Sequence, residues 1–231
     1  MARAERGGGG LAAGLTALTL VAPVLVGVAA FGTRTGAWSV GLGYDLLTRQ
    51  VAFGLSFVGV AAALLLLVLA LRGRRLLAYA AMAMVVAGAT LGGFVWHGAR
   101  VAAGPVEDVS TDLAEIPGFG PLRDRRGGPG PGPGATVGLD TCPGAISIPT
   151  QALPESVVYV LQNAGFAVER AGVAAVYGTR RGFWFGFSHD VAVRIRPGRT
   201  DVRVAARDAR PQGGEACRLA AEISAALREA V

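Results

Sequence analysis

Gly7 to Thr33, Val51 to Leu71 and Leu76 to Ala99 run without an acidic or basic side chain, His97 aside. Each run reaches the roughly 20 apolar residues needed to cross a hydrocarbon core of about 30 Å. The chain is 52% hydrophobic, too apolar for an ordinary soluble domain, and these runs are where the excess is concentrated. They are read as membrane spans at about residues 10–32, 51–71 and 76–97, in an anchor covering 1–103. The first run also has marks of a secretory signal, with Arg3 and Arg6 as a basic start and Val28-Ala29-Ala30 as a small-residue cleavage sequence. Its apolar stretch is longer than a usual signal core and two further runs follow, so a retained helix is expected, with cleavage as the alternative.

Arginine in short loops sets orientation. The Arg72-Gly73-Arg74-Arg75 turn is the densest such cluster and is expected in the cytoplasm. The N-terminus then lies inside, the loop from Thr33 to Gln50 outside, and everything after the third span outside. Trp38 and Tyr44 suit a loop lying along the membrane surface, and Trp96 with His97 closes the third span in the same way.

The formal charge of +6 comes from 22 basic residues, all arginine, against 16 acidic ones. Without lysine there is no lysine nucleophile, Schiff base or P-loop. Two histidines and two cysteines leave little for a four-ligand metal site, and no cofactor or metal is expected. Residues 1–103 hold eight arginines and two acids, whereas residues 104–231 hold 14 of each. The basic balance therefore belongs to the membrane part, and a nucleic-acid partner is not expected.

Residues 104–150 read as an extended arm, interrupted by the low-complexity stretch Arg126 to Gly134. Residues 151–231 read as a small α+β domain with an antiparallel sheet and two helices on one face. Pro154 opens a helix with Val157, Val158, Leu161 and Ala164 on its apolar side, and Gly165 closes it. Five short runs follow: Phe166 to Ala171, Val173 to Arg180, Phe183 to Phe187, Val191 to Arg196 and Asp201 to Arg207, with Pro197-Gly198 as a tight turn. A last helix starts after Gly214 and is apolar along Cys217, Leu219, Ala220, Ile223, Ala226 and Leu227.

Three segments, Asp108 to Asp112 with Pro117, Phe183 to Pro197, and Ala206-Arg207 leading into Gly214 to Arg218, resemble the bacterial family called domain of unknown function 1499. The resemblance covers about residues 105–230 and implies a domain behind N-terminal membrane spans, with no activity attached. Where the family usually shows serine, aspartate and asparagine, this chain has Pro211, Gln212 and Ala216. Together with the threading, the resemblance places the protein in a bacterial inner membrane, multi-pass, with its C-terminal domain in the periplasm.

Cys142 and Cys217 are the only cysteines. In an oxidising compartment they would form a disulfide worth about 4 kcal/mol in the chain-entropy model; the alternative is two unpaired packing residues. No C-x-x-C or C-x-x-C-H motif is present. His189 and Asp190 are adjacent and point to opposite faces of a strand, so they cannot act as a pair. His189 reads as a solvated hairpin residue and Asp190 as an arginine partner or turn cap. Glu107, Asp108, Thr111, Asp112 and Glu115 form an acidic cluster after the membrane, with Asp112 equally suited to capping a turn.

Alternation along Phe183–Phe187, Val191–Ile195 and Val202–Ala206 sends Trp184, Arg194, Arg196, Arg203 and Arg207 to the side of the sheet away from the helices. That side is either a solvated surface balanced by Asp190, Asp201 and Asp208, or a docking face for phosphate or carboxylate, with arginines whose replacement would leave folding intact. The leading functional expectation is a membrane-anchored periplasmic binding domain, whose partners are membrane lipid and another envelope protein, an anionic headgroup or a glycan. The alternative is a cell-envelope hydrolase using His189 or the Asp108/Asp112 cluster.

Overall fold

The computed structural model describes residues 2–103, 107–126, 136–207 and 212–230. Residues 104–106, the Pro/Gly tract from Gly127 onward, Asp208 and Pro211 lie outside the described residues, as do the side chains of Arg3 and Arg6. The chain forms two compact units, one helical and one α+β.

The helical unit contains α1 (Ala2–Thr35), α2 (Phe53–Arg72) and α3 (Leu77–Ala103). Gly10–Thr35, Gly41–Arg72 and Arg74–Ala102 are long and apolar enough to cross a bilayer, the pattern of a multi-pass membrane protein. Leu11, Val24, Phe31, Leu64, Leu65, Val85 and Val95 are exposed, an arrangement suited to lipid and not to water. Between helices, lipid offers no hydrophobic drive, so close approach depends on small residues. Ala12, Ala63, Ala70, Ala80, Ala83 and Ala87 accordingly cluster around Leu66. Thr16, Thr33 and Thr90 satisfy their hydroxyls by donating to the carbonyls of Ala12, Ala29 and Val86.

The expected surface loop from Thr33 to Gln50 is corrected by the structure. Only a short turn separates α1 from a π-helical segment, Gly41–Ala52, that runs directly into α2. Asp45 and Arg49 stand four residues apart in this segment, near the end of a span that is longer than the expected 51–71. Trp38 folds back on α1, where its indole N–H donates to the Ala29 carbonyl and the Thr33 hydroxyl at 3.2 Å. Position 43 must be glycine, because an added Cβ would stand 1.8 Å from the Thr33 hydroxyl. Tyr44 is buried, and its hydroxyl lies 3.0 Å from Nε2 of His97 on α3. His97 is thus more than a polar span end.

In the α+β unit, β1 (Asp108–Ser110), β2 (Ala167–Ala171), β3 (Ala175–Arg181), β4 (Ser188–Arg196) and β5 (Arg199–Ala206) form one antiparallel sheet in the order β1-β5-β4-β3-β2. The arm supplies β1, which the sequence did not mark as a strand. Helix α4 (Pro154–Asn163) begins with its proline in the first turn and ends at Gly165, which adopts φ 80°. Pro197 and Gly198, with the glycine at φ 71°, turn β4 into β5. Helix α5 (Glu215–Ala230) packs beside α4 on one face of the sheet. Leu161, Leu219, Ile223 and Leu227 meet Val176, Val191, Val193, Val202 and Val204 in a core closed to water. This is the expected α+β arrangement with both helices on one side.

The run Phe183 to Phe187 is not a strand. Arg181 pairs with Ser188, so Gly182 to Phe187 is the loop of the β3–β4 hairpin, and β4 starts at Ser188. Phe185 at φ 55° and Gly186 at φ 68° make its tight turn. Alternating aromatics between two glycines imitated a strand, and the long β3–β4 pairing decided otherwise. Trp184 therefore does not share a strand face with the arginines.

Cys142 and Cys217 form a disulfide with Cα atoms 5.6 Å apart, spanning 75 residues and joining the arm to α5. Replacing both cysteines by alanine is expected to lower the stability of the α+β unit by about 2–4 kcal/mol. Urea unfolding of the purified full chain, followed by near-UV circular dichroism, reads that loss. Thiol labelling under non-reducing denaturing conditions is expected to find no free thiol.

Candidate functional site

On β4 and β5 the core takes Val191, Val193, Ile195, Val202 and Val204. The pleat therefore turns Asp190, Arg194, Arg196, Asp201 and Arg203 to the opposite side. This second face is covered by the arm. Phe119 and Leu122, at and within the 3₁₀ turn Gly120–Arg125, pack on Ala192 and Ala205 with Tyr177 beside them. The guanidinium carbons of Arg126 and Arg203 stand 4.1 and 4.5 Å from the centre of the Phe119 ring, within cation–π range.

Beneath the arm the arginines meet carboxylates. Asp201, fully buried, accepts from Ser147 Oγ at 2.8 Å, Arg199 Nε at 2.8 Å, and terminal nitrogens of Arg194 and Arg196 at 3.1 and 2.7 Å. Asp112 joins the same arginines at 2.9 and 3.0 Å through Oδ2. Its Oδ1 accepts from the amides of Ala114 and Glu115, so it caps a turn as one sequence reading expected. Glu115 pairs with Arg196. Nearer β1, Arg203 grips Asp108 with Nε at 2.9 Å and a terminal nitrogen at 2.7 Å. Asp190 is buried between Arg126 at 3.0 Å, Arg207 at 2.6 Å and the Thr179 hydroxyl at 3.0 Å.

These contacts set the charges. Burial would raise the Asp201 carboxyl, but Ser147, Arg199, Arg194 and Arg196 hold it below its ordinary value. Asp112 is likewise lowered, its desolvation outweighed by the Glu115 amide and Arg199 among others. Burial pulls the Arg126 guanidinium below its usual value, opposed by Asp190 and Asp108.

The face is thus not an open row of cations: Arg194, Arg196, Arg203 and Arg207, half-buried, are paired with carboxylates within the domain, Asp190 and Asp201 among them as the balanced reading expected. The expectation that their replacement leaves folding intact is corrected for the same reason. The sequence signal missed was distance: the partners of Arg194, Arg196 and Arg203 on the arm stand 79 to 95 positions away.

His189 is also corrected, because it is buried on the core side of β4 and not in solvent. Its Nε2 lies 3.7 Å from Glu107 Oε2, an ion-pair distance too long for a hydrogen bond. Glu107 closes the N-terminus of α5, accepting from the amides of Gln212 at 3.0 Å, Gly214 at 2.7 Å and Ala216 at 3.0 Å. Burial would raise its carboxyl, and His189 with the three amides outweighs burial and keeps it low. Gln212 and Ala216 thus contribute backbone amides. The acidic cluster read after the membrane disperses: Glu107 goes to α5, Asp108 to Arg203, Asp112 and Glu115 to Arg194 and Arg196. Among the described residues no group of three or more His, Cys, Asp or Glu side chains is placed to hold a metal.

No protein-family model, curated protein or solved structure matches the chain.

Arg203→Gln would strand Asp108, which is 1% exposed, without its guanidinium. A loss of about 3–5 kcal/mol is expected in urea unfolding, with part restored by adding Asp108→Asn. Glu107, Asp112 and Asp201 ionise more readily folded than unfolded. Their stabilisation is therefore complete above their unfolded values of about 4 and is lost as pH falls below that range. An acid titration of the circular dichroism signal is expected to show unfolding that starts below about pH 4 and moves upward in pH for Asp201→Asn.

Proposed function

We propose that this chain is a bacterial inner-membrane protein whose α+β unit is a non-enzymatic binding domain on the periplasmic side. The observation that carries the reading is the Cys142–Cys217 disulfide in a domain that follows three apolar helices. Disulfides persist on the oxidising side of a bacterial membrane, and the arginines at positions 72, 74 and 75 favour that same side for everything beyond α3. The domain's place in the domain of unknown function 1499 family is part of this proposal and rests on the segment from Phe183 to Pro197.

A binding role is favoured over the hydrolase alternative because the groups such an enzyme would use are spent on structure. Asp108 and Asp112 hold arginines, and His189 lies buried against the carboxylate that caps α5. The partners that fit are the lipid of the membrane itself and an anionic headgroup, a glycan or another envelope protein.

Fusions of alkaline phosphatase and of a cytoplasmic fluorescent reporter after Val231 test the side. An active phosphatase with a dark fluorophore is expected, and the reverse pattern overturns the reading. Neutralising Arg72, Arg74 and Arg75 together is expected to give mixed orientation.

A further inference from the structure

Ala206 on β5 has a chemically active residue on each side. Opposite it on β4 stands His189, and on its other side its amide donates to the Glu107 carbonyl at 2.7 Å, one residue before β1. Residues aligned across neighbouring strands project to the same face of a sheet, here the face that carries α5. Only a methyl group stands at position 206, so the two longer side chains meet over it, with Nε2 of His189 3.7 Å from Oε2 of Glu107.

Both groups are removed from water: His189 is 4% exposed and the Glu107 side chain 7%. Nε2 has no hydrogen-bond partner there. A ring nitrogen left unpaired in a closed interior is a cost to the fold, whether it carries a proton or a lone pair. Glu107 is already fixed, since the amides of Gln212, Gly214 and Ala216 hold its carboxylate on the first turn of α5. The charges around the pair are largely matched. Arg180, opposite His189 on β3, goes to Glu215 of α5, which also takes Arg218, and Arg218 reaches Glu222. Arg100 passes beside Gly213. The described contacts of the Glu107 carboxylate are the three amides and His189.

We propose that His189 and Glu107 form a proton-operated clamp on α5. A proton taken from solvent by the ring makes Nε2 a charged donor aimed at a carboxylate already in place, and its return to solvent leaves that nitrogen unpaired again. The clamp joins β4, the entry to β1 and the first turn of α5 at one point. It is tight in acid and is released as pH rises through the range of about 5 to 8 in which imidazole loses its charge. The inference goes beyond the binding reading and needs neither that role nor a side of the membrane.

The test is amide exchange, read by mass spectrometry on the full chain in detergent micelles, over peptides containing Gly214 and Ala216. After division by the intrinsic exchange rate, protection is expected to be about tenfold greater at about pH 5.5 than at about pH 8, with the amides of α4 as a constant reference. Protection that is flat overturns the clamp, as does protection that falls in acid, the behaviour of a buried ring that resists charge. His189→Gln removes the titrating ring, whereas Glu107→Gln removes the charge and keeps an oxygen for the amides. Each is expected to abolish the pH dependence, and a variant that is folded by near-UV circular dichroism and keeps it overturns the proposal. Nitrogen-15 shifts of the two labelled histidines, assigned with His97→Gln, need no change at the clamp. A His189 ring still neutral at about pH 5.5 overturns the proposal by itself.

Discussion

Asp108, Asp190 and Asp201 are almost wholly removed from water, and the α+β unit is arranged around keeping them paired. A buried carboxylate is tolerated only with a countercharge and hydrogen bonds. Each finds its arginine on another segment: β5 for Asp108, β4 for Asp201, and for Asp190 both the arm and the residue just after β5. Such pairs add little net stability over apolar packing, yet losing one partner is severe, so what they specify is a single position for the arm. Arginine suits this geometry. One planar fork can bridge several carboxylates, as Arg196 does among Asp112, Glu115 and Asp201, where a lysine would offer one point of charge.

Legibility in the sequence followed the range of the interaction. Signals settled within a few residues were readable: Pro154 opening α4, Gly165 closing it, Pro197-Gly198 turning the last hairpin, and the length of the apolar runs. The cysteine pairing was readable as one of two outcomes, since two cysteines allow one bridge or two unpaired packing residues, and the structure has the bridge. Features settled by partners far along the chain were not. Asp108 reads as one acid in a cluster until β5 brings Arg203 to it, and His189 reads as a hairpin residue until Glu107 and α5 enclose it. Phe183 to Phe187 failed differently, because a period of two is present in the letters although the backbone turns there. The π-helical Gly41–Ala52 was not legible, because Asp45 and Arg49 interrupt the apolar run from which the second span was read.

The helical unit obeys the opposite solvent logic. Its interior is mostly alanine around Leu66, and its exposed surface leucine, valine and phenylalanine, which largely inverts the size order of the α+β core. Lipid makes large apolar side chains cheap on the outside, so close backbone contact is what remains to hold helices together. A polar contact inside such a unit is informative. The Tyr44 hydroxyl meets His97 from within a π-helical segment, and wide turns of that kind re-aim a side chain that an α-helix would place elsewhere.

The faces and edges of the sheet are occupied from within the chain. One sheet face carries α4 and α5, and the other carries the arm. On the arm-covered face the arginines at 126, 194, 196, 199, 203 and 207 each stand against an internal carboxylate, so an approaching anion competes with a partner already in place. To bind there it would also have to displace an internal carboxylate from its guanidinium. The sheet edges are closed as well. β2 is short, charged at Glu169 and Arg170 and broken by a register shift between Val168 and Arg170, and β1 is three residues long with Val137 bridged to Val109.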